Sequence, residues 1–206
     1  MLLYAITDRR LLPGSEPERR AELISRAREW ACGGVDYVQI REKDLSGLEL
    51  LALARGVVAA VREQGSDTRV LVNGPAEIAL ESGADGVHLP GSAAAADGAY
   101  AREVYRSAGR EAVVSHACHS VEEVRSAVWD ASLIVFAPVF EKPAPQDVRE
   151  GVGLGVLSEA CVAAGSVPVV ALGGVTAANA AECVRAGAAG VAGIRLFLGG
   201  DWGGLR

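Results

Sequence analysis

Three polar side chains alternate along one predicted strand and continue past its end. Gln39, Arg41 and Lys43 are each two residues apart, and successive side chains of an extended chain point to opposite sides, so these three share one side. A carboxamide, a guanidinium and an ammonium at one place suit an oxyanion such as a phosphate, a pyrophosphate or a carboxylate. The alternative is an internal ladder of ion pairs with Glu42 and Asp44. Because the alternation turns Glu42 the other way, we favour an anion site.

A histidine beside a predicted helix start is the candidate for proton transfer. The sequence Ser120-Val-Glu-Glu123 has the pattern of a capping box, which places a helix start directly after His119. The positive end of that helix favours a neutral imidazole, which accepts and returns a proton near neutral pH. The alternative is that His119 is an exposed residue at the cap. His116 lies nearer the preceding strand, and we expect it to be structural.

Two glycine turns close the folded part of the chain. An apolar run from Val167 to Leu172 stops at Gly173 and Gly174, a helical segment follows, and a second apolar run closes at Gly193. In (β/α)₈ barrels the loops after strands 7 and 8 commonly bind phosphate through backbone N–H groups. Glycines allow the close approach that such binding needs. We predict a phosphate site here, against the alternative that the glycines only terminate strands. Its residues are Gly173, Gly174, Gly193 and Ile194.

Three further residues follow predicted strands. Asn73 is expected to donate to a substrate oxygen or ring heteroatom, or else to cap the helix that begins near Pro75. His88 is expected to bond neighbouring backbone groups and is not assigned a catalytic role. Lys142 is a candidate substrate-binding residue. It lies in the polar, proline-bearing stretch 141–153, which is long for a loop of this kind and predicts a flap at the active end.

Hydrophobic periodicity predicts eight strands alternating with seven helices, followed by a glycine-rich tail. This order in 206 residues indicates a single (β/α)₈ (TIM) barrel domain over 1–206 with an abbreviated last helix. A doubly wound open sheet is the alternative, but no G-x-G-x-x-G follows the first strand. The predicted strands are 3–7, 35–41, 69–73, 86–89, 112–115, 133–137, 168–172 and 190–193. The predicted helices are about 17–31, 47–64, 75–83, 93–108, 120–130, 153–164 and 176–187.

The composition limits which binding partners and which cellular compartment we expect for this protein. Twenty basic and 26 acidic residues give a net charge of −6, which argues against nonspecific nucleic-acid binding because no basic excess is available to neutralise phosphates. No signal peptide and no apolar run of membrane-spanning length is present, so we expect a cytoplasmic protein without membrane contact. A homo-oligomer is compatible with this sequence. The cysteines, at 32, 118, 161 and 183, show no metal-ligand spacing and are expected to be small buried residues in a reducing compartment.

Several segments together resemble the thiamine phosphate synthase superfamily and, within it, the thiazole tautomerase (TenI-like) branch. The resemblance extends over nearly the whole chain, with the segments in the same order. The matching segments are YAITD (4–8), VQIREK (38–43), VNGPAEIAL (72–80), GADGVHLPG (83–91), CHSVEEV (118–124), APVFEK (137–142) and VPVVALGGVTAANAAECVRAGAAGVAGI (167–194).

The synthase branch implies the joining of a hydroxymethylpyrimidine diphosphate to a thiazole phosphate with loss of pyrophosphate, using Mg²⁺. Its pattern has two aspartates where this chain has Gly74 and Ala93. Because Mg²⁺ prefers carboxylate or phosphate oxygens, we expect metal-assisted loss of pyrophosphate to be severely weakened. Asp97, four residues further on, reaches inward only if its loop is rearranged. The threonine and lysine of the synthase loop after strand 6 are also replaced, by residues 141–143.

The tautomerase branch resembles this chain at the same places, with an Asn-Gly pair, a Leu-Pro pair and a His-Ser-x-Glu-Glu segment. The resemblance makes His119 the acid/base: it takes the ring C2 proton of a thiazole carboxylate phosphate tautomer and protonates the exocyclic carbon. We therefore expect a thiazole tautomerase that acts on a phosphorylated thiazole without cofactor or metal. The alternatives are a Mg²⁺-dependent thiamine phosphate synthase and a non-catalytic barrel that binds a phosphate ligand and acts through a partner. On fold alone, other phosphate-binding barrels such as sugar-phosphate isomerases stay open.

Overall fold

The computed structural model describes residues 1–93, 96–141 and 150–205. Eight parallel strands form a closed barrel in which each strand pairs with the next and the last pairs with the first. The (β/α)₈ prediction is therefore confirmed. The strands are β1 (Leu2–Ile6), β2 (Tyr37–Ile40), β3 (Arg69–Val72), β4 (Gly86–Leu89), β5 (Val113–Cys118), β6 (Leu133–Phe136), β7 (Val169–Ala171) and β8 (Gly190–Gly193).

A helix follows each strand, and the final one is short, as predicted. It has four residues, after which the glycine-rich tail forms a single 3-10 turn at Asp201–Leu205. The helices are α1 (Glu16–Cys32), α2 (Gly47–Arg62), α3 (Ala76–Glu81), α4 (Asp97–Ser107), α5 (Val121–Ala127), α6 (Gly153–Ala164), α7 (Ala180–Arg185) and α8 (Arg195–Leu198).

The core has two layers because strand residues point alternately into the barrel and out to the helices. The outer layer joins strands and helices, with Trp30 of α1 packed edge-to-face on Phe197 of α8. Inside the barrel Tyr4 stacks on Tyr37, with ring centroids 5.6 Å apart. The interior cluster consists of Tyr4, Ile6, Leu71, Leu133, Val135, Val170 and Ala192. This cluster fills the barrel interior below the carboxyl-terminal ends of the strands.

Some element boundaries differ from prediction. Strand β5 continues three residues beyond the predicted end, since His116 and Cys118 are buried outside the barrel and Ala117 faces inward. Helix α7 begins at Ala180, four residues later than the start predicted at 176. The Thr176 N–H donates to Asn179 Oδ1 at 2.8 Å, and Asn179 is the N-cap.

The cysteines are free thiols, but they are not uniformly buried. Cys118 and Cys183 are buried and Cys161 is half-buried, whereas Cys32 is exposed, so the prediction fails there. Burial raises the pKa of the Cys118 thiol to about 12, which keeps it protonated. Within the described ranges, no helix is long and apolar enough to cross a membrane.

Candidate active site

A cavity of about 530 Å³ opens at the carboxyl-terminal ends of the strands. In barrels of this architecture, that end carries the active site. The structure brings nearly all of the predicted site residues to its wall. They are Gln39, Arg41, Lys43, Asn73, His119, Gly173, Gly174, Gly193 and Ile194. The exception is Lys142, which lies outside the described residues together with most of the predicted flap at 141–153.

Strand β2 ends in a cationic arm, by which we mean Arg41 and Lys43. Both line the cavity, while Glu42 between them points away, as the alternation predicted. The Glu42 carboxylate accepts a hydrogen bond from the Thr7 hydroxyl at 2.6 Å and another from Arg9 Nη1 at 2.9 Å. The ion-pair ladder considered as the alternative is therefore absent, because Glu42 has Arg9 as its partner.

Gln39 lies deeper in the same wall and has an unused acceptor. Its side chain is nearly inaccessible, at 1% residue exposure, and Oε1 has no hydrogen-bond donor among the described residues. A buried carbonyl oxygen without a partner is costly, on the order of 1–3 kcal/mol. Since Gln39 lines the cavity, a bound ligand or water that donates to Oε1 would remove that cost.

His119 follows β5 directly, and its ring orientation is fixed by a backbone carbonyl. Nδ1 lies 2.6 Å from the carbonyl oxygen of Ala137. A carbonyl oxygen only accepts, so Nδ1 carries the proton and Nε2 of the neutral ring is the free base. The ring is exposed at the cavity wall. This orientation leaves Nε2, and not Nδ1, as the ring nitrogen that could accept a proton from a ligand.

The helix start behind His119 is capped, although not as a full capping box. Ser120 Oγ accepts from the Glu123 N–H at 3.1 Å, as predicted. The Glu123 carboxylate bonds the N–H of His119 at 2.6 Å instead of that of Ser120. This hydrogen bond matters for the site, because through it Glu123 holds the backbone of His119 in place.

Gly91 packs against the edge of the His119 ring, a contact that the sequence did not reveal. A Cβ added at Gly91 would lie 2.9 Å from Cδ2 and 3.0 Å from Nε2 of His119. Real Cβ atoms essentially never come closer than 3.0 Å, so any side chain at this position would displace the ring or cover its basic nitrogen. A glycine that follows Leu89-Pro90 was the only sequence signal for this contact.

The two glycine turns form one continuous wall, called here the glycine cup. It consists of residues 172–176 after β7 and residues 192–196 at the end of β8 and just beyond it. The carbonyls of Gly173 and Gly174 accept from Phe140 N–H at 2.9 Å and Asn179 Nδ2 at 3.1 Å. The N–H groups of Gly174 and Val175 have no acceptor among the described residues. Free N–H groups in a glycine turn suit an anion.

The backbone of the cup requires glycine at two positions. Gly173 has φ +97° and Gly174 has φ +64°, conformations that L residues rarely adopt. A Cβ at Gly173 would meet the backbone of Pro138 at 2.7 Å, and one at Gly174 would meet the carbonyl oxygen of Glu141 at 2.6 Å. Gly193 is different, since the three atoms nearest to its added Cβ all belong to the Leu196 side chain, the closest at 2.9 Å.

Arg195 is a site residue that the sequence analysis missed. It is the first residue of α8, is exposed, and lines the cavity next to Gly193 and Ile194. The available signal was a basic residue directly after the last glycine turn. Arg195 adds a cation to the cup, where backbone N–H groups were otherwise the predicted contacts.

Asn73 and His88 are joined by a hydrogen bond that was not predicted for either residue. Asn73 Nδ2 donates to the carbonyl of His88 at 3.0 Å, so Asn73 does not cap α3, whose N-cap is Pro75. His88 bonds side chains and not backbone groups through its ring: Nδ1 lies 2.9 Å from Ser115 Oγ and 3.4 Å from the Tyr4 hydroxyl. Burial, then the charges of His116 and Arg41, lower the pKa of His88 to about 3, so the ring is neutral.

The described wall of the cavity contains no aspartate or glutamate. No group of three or more His, Cys, Asp or Glu side chains is placed to hold a metal among the described residues. Gly74 and Ala93, the positions of the two lost aspartates, do not line the cavity, and neither does Asp97. Mg²⁺ needs oxygen ligands, usually including a carboxylate. The described donor set therefore does not fit a protein-held Mg²⁺.

Comparison with known proteins identifies the family of the chain. The family model described as thiamine monophosphate synthase (TMP-TENI) matches residues 3–197. A putative thiamine-phosphate synthase of Geobacter sulfurreducens is 40% identical over 95% of this chain and 86% of its own length. The thiamine-phosphate synthase of Methanoculleus marisnigri is 36% identical over 96% of this chain and 87% of its own length.

A solved structure agrees with these relatives. The thiamine phosphate pyrophosphorylase of Pyrococcus furiosus superposes with a TM-score of 0.78 at 27% identity, covering 98% of this chain and 90% of that one. The names of these relatives refer to the synthase and not to the tautomerase. The chain belongs to the thiamine monophosphate synthase family of thiamine-biosynthesis enzymes.

Proposed function

We propose that this chain is a thiazole tautomerase that converts a phosphorylated thiazole carboxylate tautomer into its aromatic form. The observation that carries the proposal is the orientation of His119, whose Nδ1 bonds the Ala137 carbonyl and leaves Nε2 available, at a cavity without carboxylates in its described wall. A neutral imidazole moves a proton between two carbon atoms without a metal. The reaction needs one group that first accepts a proton and then donates it.

The cavity supplies two anion anchors for such a ligand. In our proposal the glycine cup and Arg195 bind the phosphate, and the cationic arm binds the ring carboxylate. Holding both ends fixes the ring relative to His119, which lowers the entropic part of the barrier. The unpartnered Oε1 of Gln39 is available to a donor on the ligand or to a bound water.

The proton step is balanced within the substrate. His119 Nε2 accepts the proton from ring C2, the bonding electrons move through the ring, and the same nitrogen returns the proton to the exocyclic carbon. The side chain of His119 is an imidazolium between the two steps, and the carbonyl of Ala137 keeps its hydrogen bond to Nδ1. Aromatisation of the product makes the sequence favourable overall.

The second candidate is the thiamine-phosphate synthase reaction, which the names of the relatives favour. The cationic arm is also suited to a pyrophosphate. Against this candidate stands the described cavity wall, which offers Mg²⁺ no carboxylate. Gly74 and Ala93 replace the two aspartates of that branch.

Identification of the product separates the candidates. Purified protein is incubated in Mg²⁺ buffer, in one reaction with the thiazole carboxylate tautomer and in another with hydroxymethylpyrimidine diphosphate plus thiazole phosphate. We expect aromatic thiazole carboxylate phosphate from the first and little thiamine phosphate from the second. Substantial thiamine phosphate would select the synthase. Tight binding of thiazole phosphate without either product would select the non-catalytic barrel.

A further inference from the structure

We infer that Arg9 is a positioning residue that keeps the cationic arm available to anions by neutralising the carboxylates on either side of Lys43. The inference rests on the proposed function in one respect, namely that Arg41 and Lys43 bind an anionic group of the ligand. Arg9 does not itself line the cavity, so it acts through its neighbours. Neither its position after YAITD nor its charge marked it as functional in the sequence.

One guanidinium contacts both residues that flank Lys43. Arg9 Nη1 donates to Glu42 Oε2 and to Asp44 Oδ1, each at 2.9 Å, and Nη2 donates to Asp44 Oδ2 at 2.7 Å. The Arg9 N–H also bonds both oxygens of Glu42 at 3.2 Å. Because residues 42 and 44 are turned outward by these bonds, Lys43 is held facing inward.

A second path leads from Glu42 to the other cation. Glu42 Oε1 accepts from the Thr7 hydroxyl at 2.6 Å, and Thr7 Oγ1 accepts from the backbone N–H of Arg41 at 2.9 Å. The chain of bonds therefore runs from Arg9 through Glu42 and Thr7 to the backbone that carries Arg41. Both members of the cationic arm depend on the same buried carboxylate.

Burial makes the neutralisation important. The side chains of Arg9 and Glu42 are 4% and 1% exposed, and a buried charge that loses its partner is strongly unfavourable. Water would not screen an unpaired Glu42 carboxylate beside the anion site, so it would repel the ligand. Asp44 is more exposed, and its hydrogen bond with Arg9 lowers the pKa of the Asp44 carboxyl to about 2.

Substitutions that remove one charge or both test this role. Inorganic pyrophosphate is the probe, and its dissociation constant is measured by titration calorimetry. Arg41→Gln defines the loss that follows from damage to the arm itself. Arg9→Gln is expected to weaken pyrophosphate binding by at least about tenfold. Arg10→Gln is the matched control, since Arg10 is exposed and bonds Asp8, and it should bind as the wild type does.

The double variant Arg9→Gln/Glu42→Gln gives the decisive result. A glutamine at 42 still accepts from Thr7 but carries no charge, so pyrophosphate affinity should return to within about threefold of wild type. A purely structural role for Arg9 predicts that the double variant binds as weakly as Arg9→Gln, and that outcome overturns the inference. Unchanged binding by Arg9→Gln also overturns it. If Arg9→Gln does not fold, the double variant decides alone by its agreement with wild type or with Arg41→Gln.

The pyrophosphate-binding test of Arg9 and the activity test of the proposed reaction can fail independently of each other. A wild-type protein that lacks tautomerase activity but shows the expected pyrophosphate pattern would contradict the proposed reaction and leave the role of Arg9 standing. A wild-type protein that binds no pyrophosphate would contradict the anion site, and the inference with it.

Discussion

The cavity has two walls that we propose bind anions, and the two are built by different means. The cationic arm uses the charged side chains of Arg41 and Lys43, which the buried Arg9–Glu42 pair holds in place. The glycine cup uses backbone N–H groups, whose direction follows from two glycines with positive φ and from bonds to their carbonyls. The arm therefore depends on a network of side chains, and the cup depends on backbone conformation. His119 belongs to neither wall.

The largest expected effect is a loss of turnover on substitution of His119, which lies outside both walls. His119→Asn keeps a polar side chain but removes proton transfer near neutral pH, so kcat should fall by about 10²–10⁴. Affinity for the product, the thiazole carboxylate phosphate, should change little, because the anchors are elsewhere. Steady-state kinetics and calorimetry on the same preparation check both statements. Nearly full turnover by His119→Asn would show that another group moves the proton.

Removal of a charge from the arm should weaken binding selectively. Arg41→Gln loses a charge-assisted contact of about 1.5–3 kcal/mol, which corresponds to roughly 10–150-fold in affinity for the carboxylated thiazole phosphate. Binding of thiazole phosphate without the carboxylate should stay near wild type, because the cup binds it. Calorimetry with the two ligands makes the comparison. Equal losses for both would mean that the arm and the cup do not divide the ligand as proposed.

A change in the cup should affect both ligands alike. Gly193→Val places its Cβ against the Leu196 side chain, 2.9 Å away, and Leu196 lines the cup. Overpacking costs about 1–3 kcal/mol of folding stability, and we expect the resulting shift of the cup to weaken binding of both thiazole phosphates several-fold, with a smaller effect on kcat. The same two titrations measure it. A loss confined to the carboxylated ligand would assign the carboxylate to the cup.

The last prediction concerns the floor of the cavity and leaves ligand binding aside, because the effect shows in stability. Burial lowers the pKa of His88 to about 3, against about 6.5 in the unfolded chain. The unfolded chain thus binds the extra proton first, and stability is lost as pH falls from about 6.5 towards 3. The slope is at most about 1.4 kcal/mol per pH unit. Urea unfolding between pH 7 and pH 4 should show this loss in the wild type and a flatter dependence in His88→Gln.

The sequence predicted those features that local patterns encode. Strand order follows from hydrophobic periodicity, and the shared side of Gln39, Arg41 and Lys43 follows from alternation along a strand. The position of His119 follows from the helix start behind it. Each of these depends on residues within a few positions of one another, so a single sequence is enough.

The features that it missed connect residues far apart in the chain. Arg9 meets Glu42 across 33 positions, and Gly91 meets His119 across 28. Tyr4, His88 and Ser115 meet only inside the closed barrel. Such contacts are set by barrel closure, which local periodicity does not describe. The boundary of β5 was missed for a related reason, because His116 is buried outside the barrel, where its Nε2 lies 3.1 Å from Asp130 Oδ1.

The most direct test of the central claim is the dependence of tautomerase turnover on Mg²⁺. Purified wild-type protein is stripped with a chelator, and aromatisation of the thiazole carboxylate tautomer is followed as Mg²⁺ is added back. Because His119 and the two anchors suffice in our account, the rate should be the same at every Mg²⁺ concentration, including zero. A rate that disappears with the chelator and returns with Mg²⁺ would contradict metal-free proton transfer by His119.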